Sequence, residues 1–205
     1  KNKLKRFKEN EAFKNVIQPT REEVVTNFAH KGKWHSFFEN NNPIVVELGC
    51  GKGEYTIALA RKNPNKNYIG IDIKGARFWR GAKTAVEENL PNVAFVRTQI
   101  ESMSGDLQIG NNRIQLKDFI GAVTDRSKNI LNEEGIMNLK TDSEFMHGYT
   151  LGLLHGAGHE VLYANHTVYK NEGAPKEVTE TQTFYENQYL EVNKPITYIQ
   201  FRLKF

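Results

Sequence analysis

The chain has 205 residues, 39% of them apolar and 25% charged, with a single cysteine, Cys50. That length can bury one sizeable core, the lone cysteine excludes an internal disulfide and suits a reducing cytoplasm, and no apolar run is long enough to span a bilayer. The net charge of +4 is uneven: residues 1–100 carry 18 Lys and Arg against 10 Asp and Glu, residues 101–205 carry 10 against 14.

Residues 1–30 read as a basic N-terminal arm, opening with Lys1, Lys3, Lys5, Arg6 and Lys8 and carrying a few apolar anchors such as Val16, Ile17 and Val25. No apolar secretion-signal core follows it. Such an arm can neutralise phosphates, and it can equally be a solvated tail. Residues 31–205 read as one domain. Residues 43–49 (PIVVELG) are almost wholly apolar, as a strand buried on both faces should be. Residues 54–62 read as a helix stopping at Asn63-Pro64. A strand over 67–73, a helix over 76–89 and a strand over 92–100 follow. The stretch 102–117 is polar, 118–131 suits a helix, 136–140 a strand and 143–155 a helix. Strands over 160–169 and 196–203 flank a helix at about 180–191. Strands alternating with helices predict a doubly wound α/β fold with a mostly parallel sheet. The direction of the last strand stays open.

The first strand runs into Glu47-Leu48-Gly49-Cys50-Gly51-Lys52-Gly53. Glycines let the backbone turn sharply and come close to a ligand, and open α/β sheets bind nucleotides between such a strand and helix. The spacing is G-x-G-x-G, and Glu54 opposes a pyrophosphate at the helix start. The loop therefore suits a nucleoside ligand without phosphates, and S-adenosyl-L-methionine is the common one. Asp72, nineteen residues after Gly53, is placed to accept hydrogen bonds from ribose hydroxyls. Glu47 lies at the floor of the loop, and Gln99 ends the third strand, where an adenine edge is read. Cys50 has no His or Asn in its local pattern and reads as a small buried residue. The six histidines (His30, His35, His147, His155, His159 and His166) show no paired ligand spacing, so no metal site is expected.

The segments VELGCGKGEYTIALARKNP, NYIGIDIKGAR, GIMNLKTDSEF and TETQTFYE, with Lys31-Gly32-Lys33-Trp34 upstream, resemble the bacterial tRNA (guanine-N7)-methyltransferases. The resemblance covers roughly residues 30–101 and 127–203. It implies a Rossmann-like, class I S-adenosylmethionine-dependent methyltransferase fold. It implies cofactor contacts at Glu47, Gly49, Gly51, Gly53, Asp72 and Gln99. Asp142, in Lys140-Thr141-Asp142, becomes a contact to the target nucleotide, and Thr183, Phe184, Tyr185 and Glu186 a second substrate element. From the residues alone, Asp142 can instead cap the helix at Ser143, and Tyr185 can pack on Tyr189.

One departure bears on activity. The family's F-P-D-P strand end, with its presumed catalytic acid, and the basic run after it have no counterpart in residues 102–126. No catalytic residue is assigned, and the role is not transferred to Asp118 or Asp125. Three readings follow: methyl transfer to a guanine of tRNA, impaired by the missing segment; an inactive cofactor- and tRNA-binding protein; and a small-molecule methyltransferase. The expected partner is tRNA, with Arg77, Arg80 and Lys83 as candidate phosphate contacts on one helix or merely a solvated face. No membrane partner is expected, and monomer and homodimer stay open.

Overall fold

The computed structural model describes residues 2–99, 135–171 and 173–204. The polar stretch 102–126, the expected helix over 118–131, and Asp118 and Asp125 lie outside the described residues. The chain forms two compact units, Lys1–Gln108 and Ile109–Phe205.

The first unit contains α1 (Asn2–Ala12), β1 (Val16–Ile17), α2 (Arg21–Thr26), α3 (Trp34–Phe38), β2 (Ile44–Leu48), α4 (Glu54–Lys62), β3 (Asn67–Ile71), α5 (Gly75–Glu87) and β4 (Val93–Val96). Its sheet has the order β1-β4-β3-β2, with every pair parallel. Side chains of a strand alternate between the two faces, and both faces here are apolar. Tyr68, Val93 and Phe95 pack under Ile57 and Ala60 of α4 and Phe78, Ala82 and Ala85 of α5. Ile69, Ile71, Ala94 and Val96 pack with Phe38 and the partly buried Trp34 on the other face. Helices on both faces explain why β3 is buried at every position.

The basic opening segment is structured. Residues 2–12 form a helix whose Asn10 is 1% exposed and donates from Nδ2 to Gly75 O at 2.9 Å. Val16 and Ile17 pair with Phe95 and Val96. Two strands are shorter than their apolar runs: β3 ends at Ile71, and β4 ends at Val96, so Gln99 lies three residues beyond its strand rather than at its end.

The second unit contains β5 (Ile136–Thr141), α6 (Glu144–Gly156), β6 (Glu160–Asn165), α7 (Lys176–Thr179), α8 (Phe184–Glu191) and β7 (Thr197–Arg202). The order is β5-β7-β6, and β7 is antiparallel to both neighbours. The expected helix at about 180–191 is found as α8, starting only at Phe184 because Thr183 caps it, and the short α7 precedes the expected range. One face of the sheet buries Ile199, Phe201 and Leu203 against Leu154 of α6. The other buries Ile196 and Tyr198 against Val168 and Val178.

Candidate functional site

The turn between β2 and α4 follows from three left-handed glycines. Gly49, Gly51 and Gly53 have φ of 73°, 56° and 73°, a region that side chains with a Cβ adopt only with strain. The loop is anchored by backbone bonds. The Gly49 and Cys50 N–H groups both donate to Ile71 O, at 2.8 and 3.0 Å, and Gly53 N–H donates to Cys50 O at 2.8 Å. A Cβ on Gly49 or Gly51 would meet nothing within 4 Å, whereas one on Gly53 would stand 2.6 Å from Phe95 Cε1. The outer side of the loop is therefore open, and its inner side is locked to the core.

Asp72 follows β3 directly and is partly buried. Its Oδ2 accepts from Gly51 N–H at 3.0 Å and its Oδ1 from Lys74 N–H at 2.7 Å. A carboxylate offers about four lone-pair sites, so two remain for a ligand. Glu47, next to last in β2, accepts from the Thr56 hydroxyl of α4. Burial pushes its carboxyl up to about 7 against that stabilising bond, and Asp72 and Glu54 add smaller upward contributions. Burial also drives the Cys50 thiol well up, reinforced by Glu47 and Asp72. A thiol so disfavoured from ionising is no nucleophile. Gln99 is exposed. Behind the loop, between α4 and α5, a cavity of about 180 Å³ is lined by Lys52, Glu54, Arg61, Arg80 and Thr84 among others.

In the second unit, Lys140 is the hub that motif spacing left unseen. Its amine pairs with Glu186 Oε1 at 2.5 Å, with side chains 16% and 11% exposed. It also donates to Tyr169 Oη at 2.9 Å and Val178 O at 2.6 Å. Tyr169 Oη donates to Glu186 Oε1 at 3.0 Å. Glu186 further accepts from Thr183 N–H at 2.8 Å, while Thr183 Oγ1 accepts from Glu186 N–H at 3.3 Å, a reciprocal cap on α8. Burial lowers the Lys140 ammonium against the opposing pull of Glu186. Asp142 does not cap α6; Ser143 does, accepting from Met146 N–H at 3.1 Å. Asp142 pairs instead with Lys194, whose Nζ lies 4.5 Å from the Tyr189 ring centroid. Phe184 and Tyr185 are 46% and 41% exposed, their rings 5.5 Å apart. Thus Glu186 faces inward to Lys140 and Thr183 caps its helix through Glu186, while Phe184 and Tyr185 face out.

A family model described as a putative methyltransferase matches residues 41–115, which include the loop and Asp72. The tRNA (guanine-N(7)-)-methyltransferase of Christiangramia forsetii is 64% identical, with 100% of this chain and 99% of that protein covered. The chain belongs to the tRNA (guanine-N7)-methyltransferase family. The enzyme of that name from Bacteroides fragilis is 37% identical, over 99% of this chain and 86% of its own length.

The likeness to other members of this methyltransferase family is not gapless. The match to the Christiangramia protein runs over 225 aligned positions against 205 residues here, so about twenty positions of the alignment have no residue in this chain. Among solved structures, a 30S ribosomal A1408 methyltransferase from an uncultured bacterium superposes with a TM-score of 0.61 at 15% identity, over 85% of this chain and 94% of that one. At that identity the likeness concerns the fold, which is the Rossmann-like α/β fold of S-adenosylmethionine-dependent methyltransferases. Among the described residues no helix is long and apolar enough to cross a membrane.

Proposed function

We propose that this chain transfers a methyl group from S-adenosyl-L-methionine to ring nitrogen 7 of a guanine in tRNA, in a reducing cytoplasm, and that it does so slowly. The observation that carries the reading is the open glycine loop braced by Asp72 in a chain 64% identical to a tRNA (guanine-N(7)-)-methyltransferase. The donor set fits the cofactor. Asp72 keeps two lone pairs for ribose hydroxyls, Glu47 sits where a cationic amino group is favoured, and Gly49 and Gly51 leave room for close approach. Gly53 holds the loop to the core, and Gln99 is the contact for the adenine edge.

When bound, the cofactor supplies an electrophilic methyl group. The acceptor nitrogen already carries a lone pair, so no residue has to remove a proton. The protein's task is in-line positioning and stabilisation of the positive charge that develops on the purine. The guanine edge carrying that nitrogen lies in the deep groove of A-form RNA, beyond side-chain reach, so the target base sits in a loop or is flipped out. We assign the nucleotide contacts to Asp142, Phe184 and Tyr185. Thr183 and Glu186 shape that element through Lys140.

A slow rate is supported by residues 102–126, which lack the F-P-D-P acid and basic run, and by the roughly twenty unmatched positions. These observations also favour the second reading, a binding protein without turnover. Transfer of labelled methyl to bulk unmodified tRNA, with the modified nucleoside identified, separates the two. Labelled 7-methylguanosine supports the enzyme, and cofactor and tRNA binding with no labelled RNA supports the binder.

A further inference from the structure

We propose that the outward face built by α1 and α5 docks the sugar–phosphate backbone of the substrate RNA. This rests on reading the chain as a tRNA methyltransferase. Helix α1 carries Lys3, Lys5, Arg6 and Lys8 within two turns, and it is held in place rather than trailing. Beyond the buried Asn10 bond to Gly75 O, Arg6 Nη1 donates to Ala76 O at 3.4 Å, and the Trp79 indole N–H donates to Glu9 Oε2 at 2.6 Å.

Trp79 organises the cations. The Arg6 guanidinium lies 4.8 Å from its ring centroid and Lys83 Nζ lies 5.4 Å from it. An aromatic face fixes a cation without neutralising it. Among the described residues Arg6 is matched with this ring and a carbonyl, not with a carboxylate. The nearby acids are occupied: Glu9 by the indole and by Lys5 at 3.7 Å, and Glu87 by Lys83 at 3.5 Å. Arg80, exposed one position along α5, continues the track into the cavity that Lys52 and Thr84 also line. Fixed arginines suit phosphate, because their planar donors are preorganised.

The face also borders the cofactor loop. Phe7 of α1 lies against Arg97, with the guanidinium 4.8 Å from its ring, and Arg97 Nε donates at 3.4 Å to the carbonyl of Ile73, the residue after Asp72. RNA held along α1 and α5 therefore runs past the turn that presents Asp72. An anionic membrane would use charge alone. One arginine, Arg6, and one lysine, Lys83, both held on the Trp79 indole, with Arg80 beside them on α5, favour a partner with regularly spaced phosphates.

The test compares wild type with Arg6→Gln/Arg80→Gln/Lys83→Gln. It measures tRNA binding against salt, the KM and kcat of methyl transfer, and S-adenosylhomocysteine affinity. At roughly 0.7–0.9 per phosphate contact, the slope of log K against log salt should shrink by about two units. The KM for tRNA should rise roughly tenfold or more, with kcat and cofactor affinity held within about twofold. Lys66→Gln, at the opposite end of β3, should change none of these. In a Trp34→Phe background the emission of Trp79 should shift on adding tRNA. If the triple variant fails to fold, Arg80→Gln alone should lower the slope by about one unit. Unchanged slope and KM in variants of a wild type that binds tRNA overturn the surface alone. Loss of binding to phosphatidylserine vesicles without loss of tRNA binding assigns the face to membranes and overturns it too. A wild type that neither binds nor methylates tRNA overturns the underlying reading with it.

Discussion

The Gly51 backbone N–H donates to Asp72 Oδ2 at 3.0 Å, tying the tip of the glycine loop to the end of β3. This bond gives Asp72 two tasks. It holds the loop in its left-handed path, and it leaves lone pairs on the open side for a ligand. Lys74 N–H, 2.7 Å from Oδ1, fixes the carboxylate plane from the other direction.

Glu47 should make stability fall with rising pH. Burial penalises the charge and pushes its carboxyl up to about 7 in the folded protein, from the 4.5 of an ordinary glutamate. The stabilising difference is therefore fully present below about 4.5 and is lost as the pH rises through about 7. Glu47→Gln should gain on wild type by about 1–3 kcal/mol between pH 4.5 and 8. Urea midpoints across that range measure it. A constant difference between the two proteins contradicts the assignment.

Gly53 and Gly49 share the same φ of 73° but not the same surroundings. Gly49→Ala should cost about 1–2 kcal/mol from backbone strain alone. Gly53→Ala adds a Cβ 2.6 Å from Phe95 Cε1 and should cost a further 1–3 kcal/mol or so from overpacking. Phe95→Leu in the Gly53→Ala background should relieve part of that increment. Equal losses for the two alanine variants would show that the Phe95 contact is not limiting.

The Lys140–Glu186 pair should behave as a buried ion pair. Lys140→Met strands the Glu186 charge, and Glu186→Gln strands the Lys140 charge. Each should lose about 3–5 kcal/mol. The double variant should lose at least about 1 kcal/mol less than the sum. Additive losses in denaturant titrations would mean that the two side chains act separately.

Turnover should be slow although binding is normal. An electrostatic contribution of the kind the absent segment would supply is worth roughly a hundredfold or more in rate. A single-turnover assay at saturating tRNA and cofactor should therefore run about that far below one per second. A rate near one per second would mean that Asp118, Asp125 or another group supplies the charge.

The sequence made α4 and β3 legible, and the place of β2 but not its burial: expected to be buried on both faces, β2 stands last in the sheet order, with Val46 and Leu48 36% and 39% exposed. The legible signals are local. Apolar runs, the glycine spacing and the Asn63-Pro64 stop all lie within a few residues of the feature they specify. Helix α1 was not legible as a docked element. Arg6, Phe7, Glu9 and Asn10 anchor it, but their partners Ala76, Arg97, Trp79 and Gly75 all lie more than sixty residues away. The inward role of Glu186 was hidden for the same reason, since Lys140 lies more than forty residues upstream. The antiparallel setting of β7 depends on its insertion between β5 and β6, which no residue of β7 announces.

The central claim is that Asp72 and the loop it braces form the cofactor site. Titration of S-adenosylhomocysteine against wild type, Asp72→Ala and Asp72→Asn tests it most directly. The alanine should lose about tenfold or more in affinity, because charge-assisted hydrogen bonds to the ribose are gone. The asparagine, which keeps an acceptor for Gly51, should fold like wild type and still bind several-fold weaker. Equal affinities for all three proteins, each folded, would place the cofactor elsewhere.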